Sequence, residues 1–187
     1  MEKFVARDYN ELCEEALQRI KRVAEEAVHA RNKFTLVLSG GSTPEGLFKL
    51  LAVPYLKFPW EKTHLFWADE RWVPKNDPKS NYFLAAKSFL KTAPIPAGNI
   101  HPIPTSKNDL ESAADVYEKE ILSFFKTRQG EIPAFDLILL GVGSDGHTAS
   151  LFPGHSALSE TKRLVLPVTG KGIDLPRITL TLPLINQ

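Results

Sequence analysis

Hydrophobic and polar positions along the chain follow two periods, one typical of helices and one of buried strands. From Leu12 to about Ala30 apolar residues recur at helical spacing, behind a D-x-x-E start at Asp8 that favours a helix N-terminus. Three short apolar runs predict strands: FTLVLS (34–39), HLFWA (64–68) and FDLILLG (135–141). The first two have the composition of strands buried on both faces, and LVLPV and RITLTL near the end are further candidates.

Further helices are predicted between these strands. One begins at Thr43 and Pro44, another covers residues 81–90, and a third opens at Asn108 and ends at Gly130. Strands that alternate with helices are typical of an α/β fold, here a doubly wound, mostly parallel, Rossmann-like sheet with helices on both faces. We expect this fold as a single domain over residues 1–187.

Composition narrows the classes of partner and compartment. The 187 residues are 43% hydrophobic and 24% charged with a formal net charge of +1, and no basic run occurs, which argues against a nucleic-acid partner. The apolar stretches are shorter than a membrane span, so no membrane partner is expected. Cys13, the single cysteine, excludes an intrachain disulfide, and the N-terminus has no apolar signal region; we expect a cytoplasmic setting. No sequence signal indicates an oligomeric state.

Three strands are followed by loops rich in reactive side chains: SGGST (39–43), DER (69–71) and GVGSDGH (141–147). In open α/β sheets, ligands bind in the crevice beyond the carboxyl ends of the strands. The sequence therefore predicts that the three loops meet at one edge of the sheet.

The first loop has the composition of an anion cradle, because glycines and hydroxyls precede a predicted helix start. Its length suits a single phosphate monoester, and the nucleotide pattern G-x-x-x-x-G-K-[ST] is absent. A tight strand-to-helix turn is the plainer alternative. The candidate phosphate-binding residues are Ser39, Gly40, Gly41, Ser42 and Thr43.

The second loop places charged side chains at the end of a buried strand. Asp69 is a candidate base, and Arg71 is a candidate ligand for an oxyanion or a phosphate, since its charge is permanent and its donors form a planar fork. The alternative is an ordinary solvated loop.

The third loop matches the dinucleotide fingerprint G-x-G-x-x-G, but its context favours chemistry. No acidic residue ends a strand about twenty positions later, and Asp145 would lie beside the pyrophosphate. Asp145 and His147 are two residues apart, and an imidazole, with its ordinary pKa near neutrality, is a natural general base. No cysteine or histidine pattern has metal-ligand spacing, and no G-x-S-x-G elbow occurs, so neither a metal, nor a cofactor, nor a serine nucleophile is expected.

The segments SGGSTP, ADERWVP…SN, GVGSDGHTASLFPG and LPRITLTLP, in this order, resemble the motifs of the 6-phosphogluconolactonase family. The resemblance implies that residues 39–43 and Arg177 bind the substrate phosphate, with Lys171 as a further ligand. It also implies that His147 activates water, that Asp145 and Asp69 orient or assist it, and that Arg71 binds substrate oxygens or phosphate. GKGIDLPR departs from the family's lysine-proline-proline segment.

The activity that this resemblance implies is metal-independent hydrolysis of 6-phospho-D-glucono-1,5-lactone to 6-phospho-D-gluconate in the pentose phosphate pathway. Two alternatives are a sugar-phosphate deaminase/isomerase and a non-catalytic sugar-phosphate-binding domain. The related deaminases carry a glutamate five residues after the histidine, where this chain has Phe152, and a binding domain would need only the cradle. The family continues past TLPLINQ, so we expect either a longer natural protein or a partner chain over the last strand.

Overall fold

The computed structural model describes residues 2–53, 56–107, 109–128 and 130–187. A π-helical turn, Ala86–Leu90, extends the third helix, and 3₁₀ turns lie at Trp60–Lys62, Ala97–Asn99 and Ser156–Ser159. In chain order the helices and strands are α1 (Tyr9–Arg31), β1 (Phe34–Leu38), α2 (Glu45–Leu51), β2 (Thr63–Trp67), β3 (Asp69–Arg71), α3 (Asn81–Ala85), α4 (Leu110–Phe125), β4 (Leu137–Ile138), β5 (Val165–Val168), β6 (Arg177–Leu180) and α5 (Leu182–Ile185).

A parallel sheet with the order β2-β1-β4 forms the centre of the fold. Leu36 in β1 pairs with Leu65 on one side and with Leu137 on the other. Every residue of β1 is buried, so both faces of this strand are covered, as the continuous apolar run indicates. The predicted α/β class, with a parallel sheet flanked by helices, is confirmed.

A second sheet is antiparallel, with the order β3-β6-β5. The chain passes from β2 into β3 through Ala68, whose amide donates to Leu38 O (2.9 Å) and whose carbonyl accepts from Leu180 N (2.8 Å). Ala68 therefore joins the two sheets, and β3 carries the DER segment from the parallel sheet into the antiparallel one. The local sequence pattern did not predict this change of sheet, because it depends on which distant strand supplies the hydrogen bonds.

Strand β6 is buried along its whole length, although apolar and polar residues alternate along it. Its polar positions are covered as well, since the amide of Ser150 donates to Thr179 Oγ1 at 3.1 Å. The short helix α5 follows this strand, with a proline in its first turn.

The helix starts agree with the capping signals only in part. The side chain of Asp8 accepts from Glu11 N at the start of α1, as predicted. Helix α2 begins at Glu45, slightly later than the predicted start at Thr43 and Pro44, and no side chain of its N-cap residue caps it. Tyr9 takes that place, because its hydroxyl accepts from Gly46 N (2.9 Å) and donates to Thr43 O (2.8 Å).

Helix α4 starts behind Asp109, whose carboxylate accepts from Ser112 N; the predicted start, Asn108, lies outside the described residues. The helix ends earlier than the predicted stop at Gly130. Lys126 adopts the left-handed conformation (φ 53°), and its amide closes the last turn on Leu122 O. The helix thus ends at a lysine in the left-handed conformation, and not at the glycine that commonly ends a helix and on which the prediction depended.

The run FDLILLG forms a shorter strand than predicted. Only residues 137 and 138 pair with β1, and both are half-buried because β4, among the described strands, has a neighbour on one side only. Asp136 anchors its start, accepting from Thr35 N (2.7 Å) and Thr35 Oγ1 (2.8 Å). After Leu139 the chain leaves the ladder, and Val142 is 81% exposed.

Helix α4 is attached to the parallel sheet by a buried tyrosine. Tyr117 Oη accepts from Trp67 N at 2.8 Å and donates to Trp67 O at 3.1 Å, and burial raises the pKa of this phenol. Both backbone groups of the residue that precedes the sheet crossing are therefore satisfied. Within the described residues, no helix is both long enough and apolar enough to cross a membrane.

His64, in β2, and His101 form a hydrogen-bonded pair. His64 Nδ1 lies 3.2 Å from His101 Nε2, and His101 Nδ1 lies 2.8 Å from Glu120 Oε1. Burial, with smaller contributions from His101 and Lys33, lowers the pKa of His64 to about 4. The ring of His64 is therefore neutral near pH 7.

Candidate active site

A cavity of about 420 Å³ brings the three predicted loops together. Apart from Asp145 and Lys171, every site residue predicted from the sequence lines it. Asp145 contacts the cavity through His147, whereas Lys171 is exposed in the turn before β6 and stays outside the lining. The remaining wall is apolar apart from Asn81 and comes mainly from α1, α2 and the segment after β4. These further residues are Leu12, Cys13, Ala16, Pro44, Leu47, Asn81, Leu139, Leu140, Gly141, Val142, Gly143 and Ala149.

The cradle loop, residues 39–43, is held from two sides. A Cβ on Gly40 would lie 1.9 Å from Asn81 Oδ1, so only glycine fits against this buried side chain. Gly41 has a φ of +91°, which strains any residue with a side chain. On the other side, the hydroxyl of Tyr9 bonds to the loop at Thr43. The loop is thus fixed by its neighbours before any ligand binds.

The predicted pair of Asp145 and His147 lies on the loop after β4. Asp145 Oδ1 accepts from His147 Nδ1 at 2.5 Å and from His147 N at 3.2 Å. These hydrogen bonds, with that of the imidazole the larger, lower the pKa of the Asp145 carboxyl. Because Nδ1 is engaged, Nε2 is the ring nitrogen left to take a proton from water. This is the arrangement of a carboxylate-oriented general base.

The turn that carries this pair depends on Gly143. Its amide donates to His147 O at 2.8 Å, and its carbonyl accepts from Gly146 N at 2.9 Å. A Cβ on Gly143 would lie 2.3 Å from the imidazole and 2.8 Å from Asp145 Oδ1. The middle glycine of the apparent dinucleotide fingerprint therefore makes room for a histidine.

Asp69 lies at the floor of the cavity and is 4% exposed. Its Oδ2 accepts from Ser150 Oγ at 2.7 Å and lies 3.9 Å from Arg177 Nη1, and its Oδ1 accepts from Asn81 Nδ2 at 3.1 Å. Both oxygens are thus committed to neighbouring side chains. Asp69 therefore links Asn81, Ser150 and Arg177, which belong to α3, the histidine loop and β6.

Asn81 and Ser150 are not among the site residues predicted from the sequence, although both are buried and bond to Asp69. Asn81 sits at the start of α3, where Glu70 accepts from Ser80 Oγ (2.9 Å) and Asn81 N (2.7 Å). Burial raises the pKa of Glu70, although these hydrogen bonds oppose the shift. The only sequence signal that could have identified Asn81 and Ser150 as site residues is their position within the motifs ADERWVP…SN and GVGSDGHTASLFPG, since neither residue belongs to a periodic pattern.

Two arginines, Arg71 and Arg177, occupy directly opposite positions on β3 and β6. Arg71 Nη1 donates to Lys79 O at 2.6 Å, and Arg177 Nη2 donates to Asp174 Oδ1 at 2.8 Å, while the buried Nε of each arginine has no hydrogen-bond partner. Like charges that face each other across neighbouring strands are unfavourable. Both side chains line the cavity, so an anion bound there would offset this repulsion.

The family model described as "Glucosamine-6-phosphate isomerases/6-phosphogluconolactonase" matches residues 7–187. The chain belongs to this family. A 6-phosphogluconolactonase from Synechocystis sp. is 47% identical over 94% of this chain and 72% of that protein. Another, from Nostoc sp., is 42% identical over 96% of this chain and 73% of its own length.

Solved structures with the same fold include a 6-phosphogluconolactonase from Trypanosoma cruzi. Its TM-score is 0.86 at 33% identity, over 97% of this chain and 75% of that one. The 6-phosphogluconolactonase from Thermotoga maritima gives a TM-score of 0.82 at 33% identity, over 97% and 77% of the two chains.

The described ranges, with gaps at 54–55, 108 and 129, contain no group of three or more histidine, cysteine, aspartate or glutamate side chains that could hold a metal ion.

Proposed function

We propose that this family member hydrolyses 6-phospho-D-glucono-1,5-lactone to 6-phospho-D-gluconate, a reaction of the pentose phosphate pathway. One observation carries the proposal: a single cavity is lined by the cradle loop, by the facing pair Arg71 and Arg177, and by His147 bonded to Asp145. A small molecule that carries both a phosphate and an ester carbonyl matches this cavity, because the cradle and the arginines suit the phosphate and His147 suits the carbonyl. The names of the relatives in Synechocystis and Nostoc support the same activity.

The cradle residues 39–43 and Arg177 hold the phosphate and so fix the ring of the lactone. Nε2 of His147 takes a proton from water as the water oxygen attacks the C1 carbonyl. Asp145 stabilises the resulting imidazolium through Nδ1. General-base help of this kind contributes about 10²–10⁴-fold.

The tetrahedral intermediate then collapses. Arg71, or backbone amides of residues 143–147, stabilise the oxyanion, and one such donor contributes roughly 10²–10³-fold. The bond between C1 and the ring oxygen breaks, and His147 returns its proton to that oxygen. The sum is one water consumed and one hydroxy acid formed, with no redox change.

Neither alternative fits the site as well. A deaminase/isomerase relay calls for a carboxylate at the position of Phe152, and here the ring of Phe152 packs against His147 with their centroids 4.6 Å apart. A domain that only binds phosphosugars needs the cradle but not an imidazole oriented by a carboxylate. The Asp145–His147 contact therefore favours turnover over binding alone.

The proposal takes residues 1–187 as one phosphosugar lactonase domain with a small-molecule substrate and no nucleic-acid partner, in keeping with the net charge of +1. A cytoplasmic location belongs to the same proposal and rests on the single cysteine, which permits no intrachain disulfide.

The test is a hydrolysis assay on fresh lactone with the spontaneous rate subtracted. We expect Arg177→Ala to raise KM at little cost in kcat, and His147→Ala to lower kcat about 10²–10⁴-fold, because the two residues act at opposite ends of the substrate. Wild-type protein that fails to accelerate hydrolysis, or equal kcat for wild type and His147→Ala, would overturn the proposal.

A further inference from the structure

We propose that Phe152 is a positioning residue that couples the two ends of the site, because its ring is the shared support of the His147 imidazole and the Arg177 guanidinium. This inference rests on the proposed function. It assigns a role in that reaction to a side chain outside both the cradle and the catalytic pair.

The contacts of the Phe152 ring carry the inference. Its centroid lies 4.6 Å from that of the His147 ring, at an interplanar angle of 38°. Arg177 Cζ lies 5.4 Å from the same centroid, which is within the range of a cation–π contact. Phe152 is half-buried, so this contact is partly shielded from solvent.

The loop holds the ring in place. Ser150, two residues before it, is fully buried and bonds to Asp69 through its hydroxyl and to Thr179 through its amide. Leu151 forms a bridge with Thr148 and packs in a small buried cluster against which the Phe152 ring lies. Through Ser150, the backbone next to Phe152 is thus attached to both β3 and β6. This attachment fixes the position of the Phe152 ring beside His147 and Arg177.

The Phe152 ring restrains both His147 and Arg177 in a way that their hydrogen bonds do not. The His147 imidazole is bonded to Asp145 through Nδ1 alone, so the imidazole can still rotate about this hydrogen bond. The Phe152 ring packed against the imidazole limits that rotation and so limits the directions in which Nε2 points. Arg177 donates one side-chain hydrogen bond, from Nη2 to the exposed Asp174, and its Nη1 has only the longer contact of 3.9 Å with Asp69, while its Nε has no hydrogen-bond partner. An aromatic face beside the guanidinium holds it without using the donors that a phosphate needs.

The inference predicts a specific kinetic signature. Arg177→Ala acts on KM and His147→Ala acts on kcat, whereas a loss at Phe152 should act on both at once. Phe152→Leu keeps an apolar side chain but removes the ring face. We expect it to raise both KM and the dissociation constant for 6-phosphogluconate about threefold to tenfold, and to lower kcat about tenfold. Phe152→Tyr keeps the ring and should stay within about twofold of wild type in all three.

Phe125→Leu is the matched control. Phe125 is also half-buried, and Lys33 Nζ lies 5.5 Å from its ring centroid, but its ring packs against other phenylalanines and not against His147 or Arg177. Its substitution should leave all three constants unchanged. Thermal melting of each variant separates loss of the site from loss of the fold. If Phe152→Leu does not fold, Phe152→Met is measured by the same criteria.

Three outcomes would overturn the inference: Phe152→Leu that matches wild type, leucine and tyrosine variants that are impaired equally, or an effect on kcat or KM alone. The binding measurement does not need turnover. If wild-type protein binds 6-phosphogluconate but does not hydrolyse the lactone, the proposed function is wrong. The dissociation constant of Phe152→Leu then still tests whether the Phe152 ring supports Arg177. Wild-type protein that binds no 6-phosphogluconate overturns the inference as well.

Discussion

Substituting alanine at Gly143 tests the proposed catalytic pair, Asp145 and His147, without removing either residue. The added Cβ would lie 2.3 Å from both Cε1 and Nδ1 of His147 and 2.8 Å from Asp145 Oδ1. Contacts below about 3 Å are not tolerated, so the imidazole must move. We expect it to rotate away from Asp145, because the backbone of the turn is closed by hydrogen bonds on both sides of Gly143.

The size of the effect follows from what the movement removes. A base displaced by about 1 Å loses on the order of 10²-fold in rate. Complete loss of general-base help costs about 10²–10⁴-fold, equivalent to about 3–5 kcal/mol in the activation free energy. The phosphate end does not depend on this turn, so the dissociation constant for 6-phosphogluconate should change by less than about threefold.

Steady-state hydrolysis of the lactone gives kcat, and calorimetric titration with 6-phosphogluconate gives binding. Gly98→Ala is the control, because a Cβ there meets no atom within 4 Å and the residue lies in an exposed turn. A Gly143→Ala variant with kcat within about threefold of wild type would refute the general-base geometry. Equal losses of kcat and of binding would show instead that the turn supports the whole cavity.

Three further predictions concern stability and metal dependence. Gly40→Ala should lower the free energy of unfolding by about 2–4 kcal/mol in denaturant titrations, because Asn81 must give up two hydrogen bonds to Asp69. Adding Asn81→Ala should relieve part of that loss, and strictly additive effects would contradict the clash. Burial lowers the pKa of His64 from 6.5 to about 4, so the folded protein resists a proton that the unfolded chain accepts. The free energy of unfolding should therefore fall between about pH 6.5 and pH 4, by about 1–2 kcal/mol after allowance for solvent screening. His64→Gln should flatten this part of the profile, and an unchanged profile would count against the assignment. EDTA should leave hydrolysis unchanged, and activity lost to chelation and restored by a divalent ion would contradict the orienting roles of Asp69 and Asp145.

The sequence by itself determined the features that depend on neighbours along the chain. A continuous apolar run is enough to identify β1, since burial on both faces excludes polar residues from five consecutive positions. Asp8 and the helical spacing after it identify α1 in the same way. The cradle and the Asp145–His147 pair were also predictable, because their members are at most four residues apart and follow strands.

Only the tertiary structure decided how distant segments meet. Ser150 bonds to Asp69 across 81 positions of sequence, and Arg71 faces Arg177 only because β3 and β6 pair in one particular register. The second sheet exists because the chain continues through Ala68 onto a new partner strand. Strand register and sheet closure are set by packing over the whole domain, and a local periodicity does not encode them. For the same reason the alternation of polar and apolar residues in β6 does not reveal that the whole strand is buried, which follows from distant contacts such as that of Ser150 with Thr179.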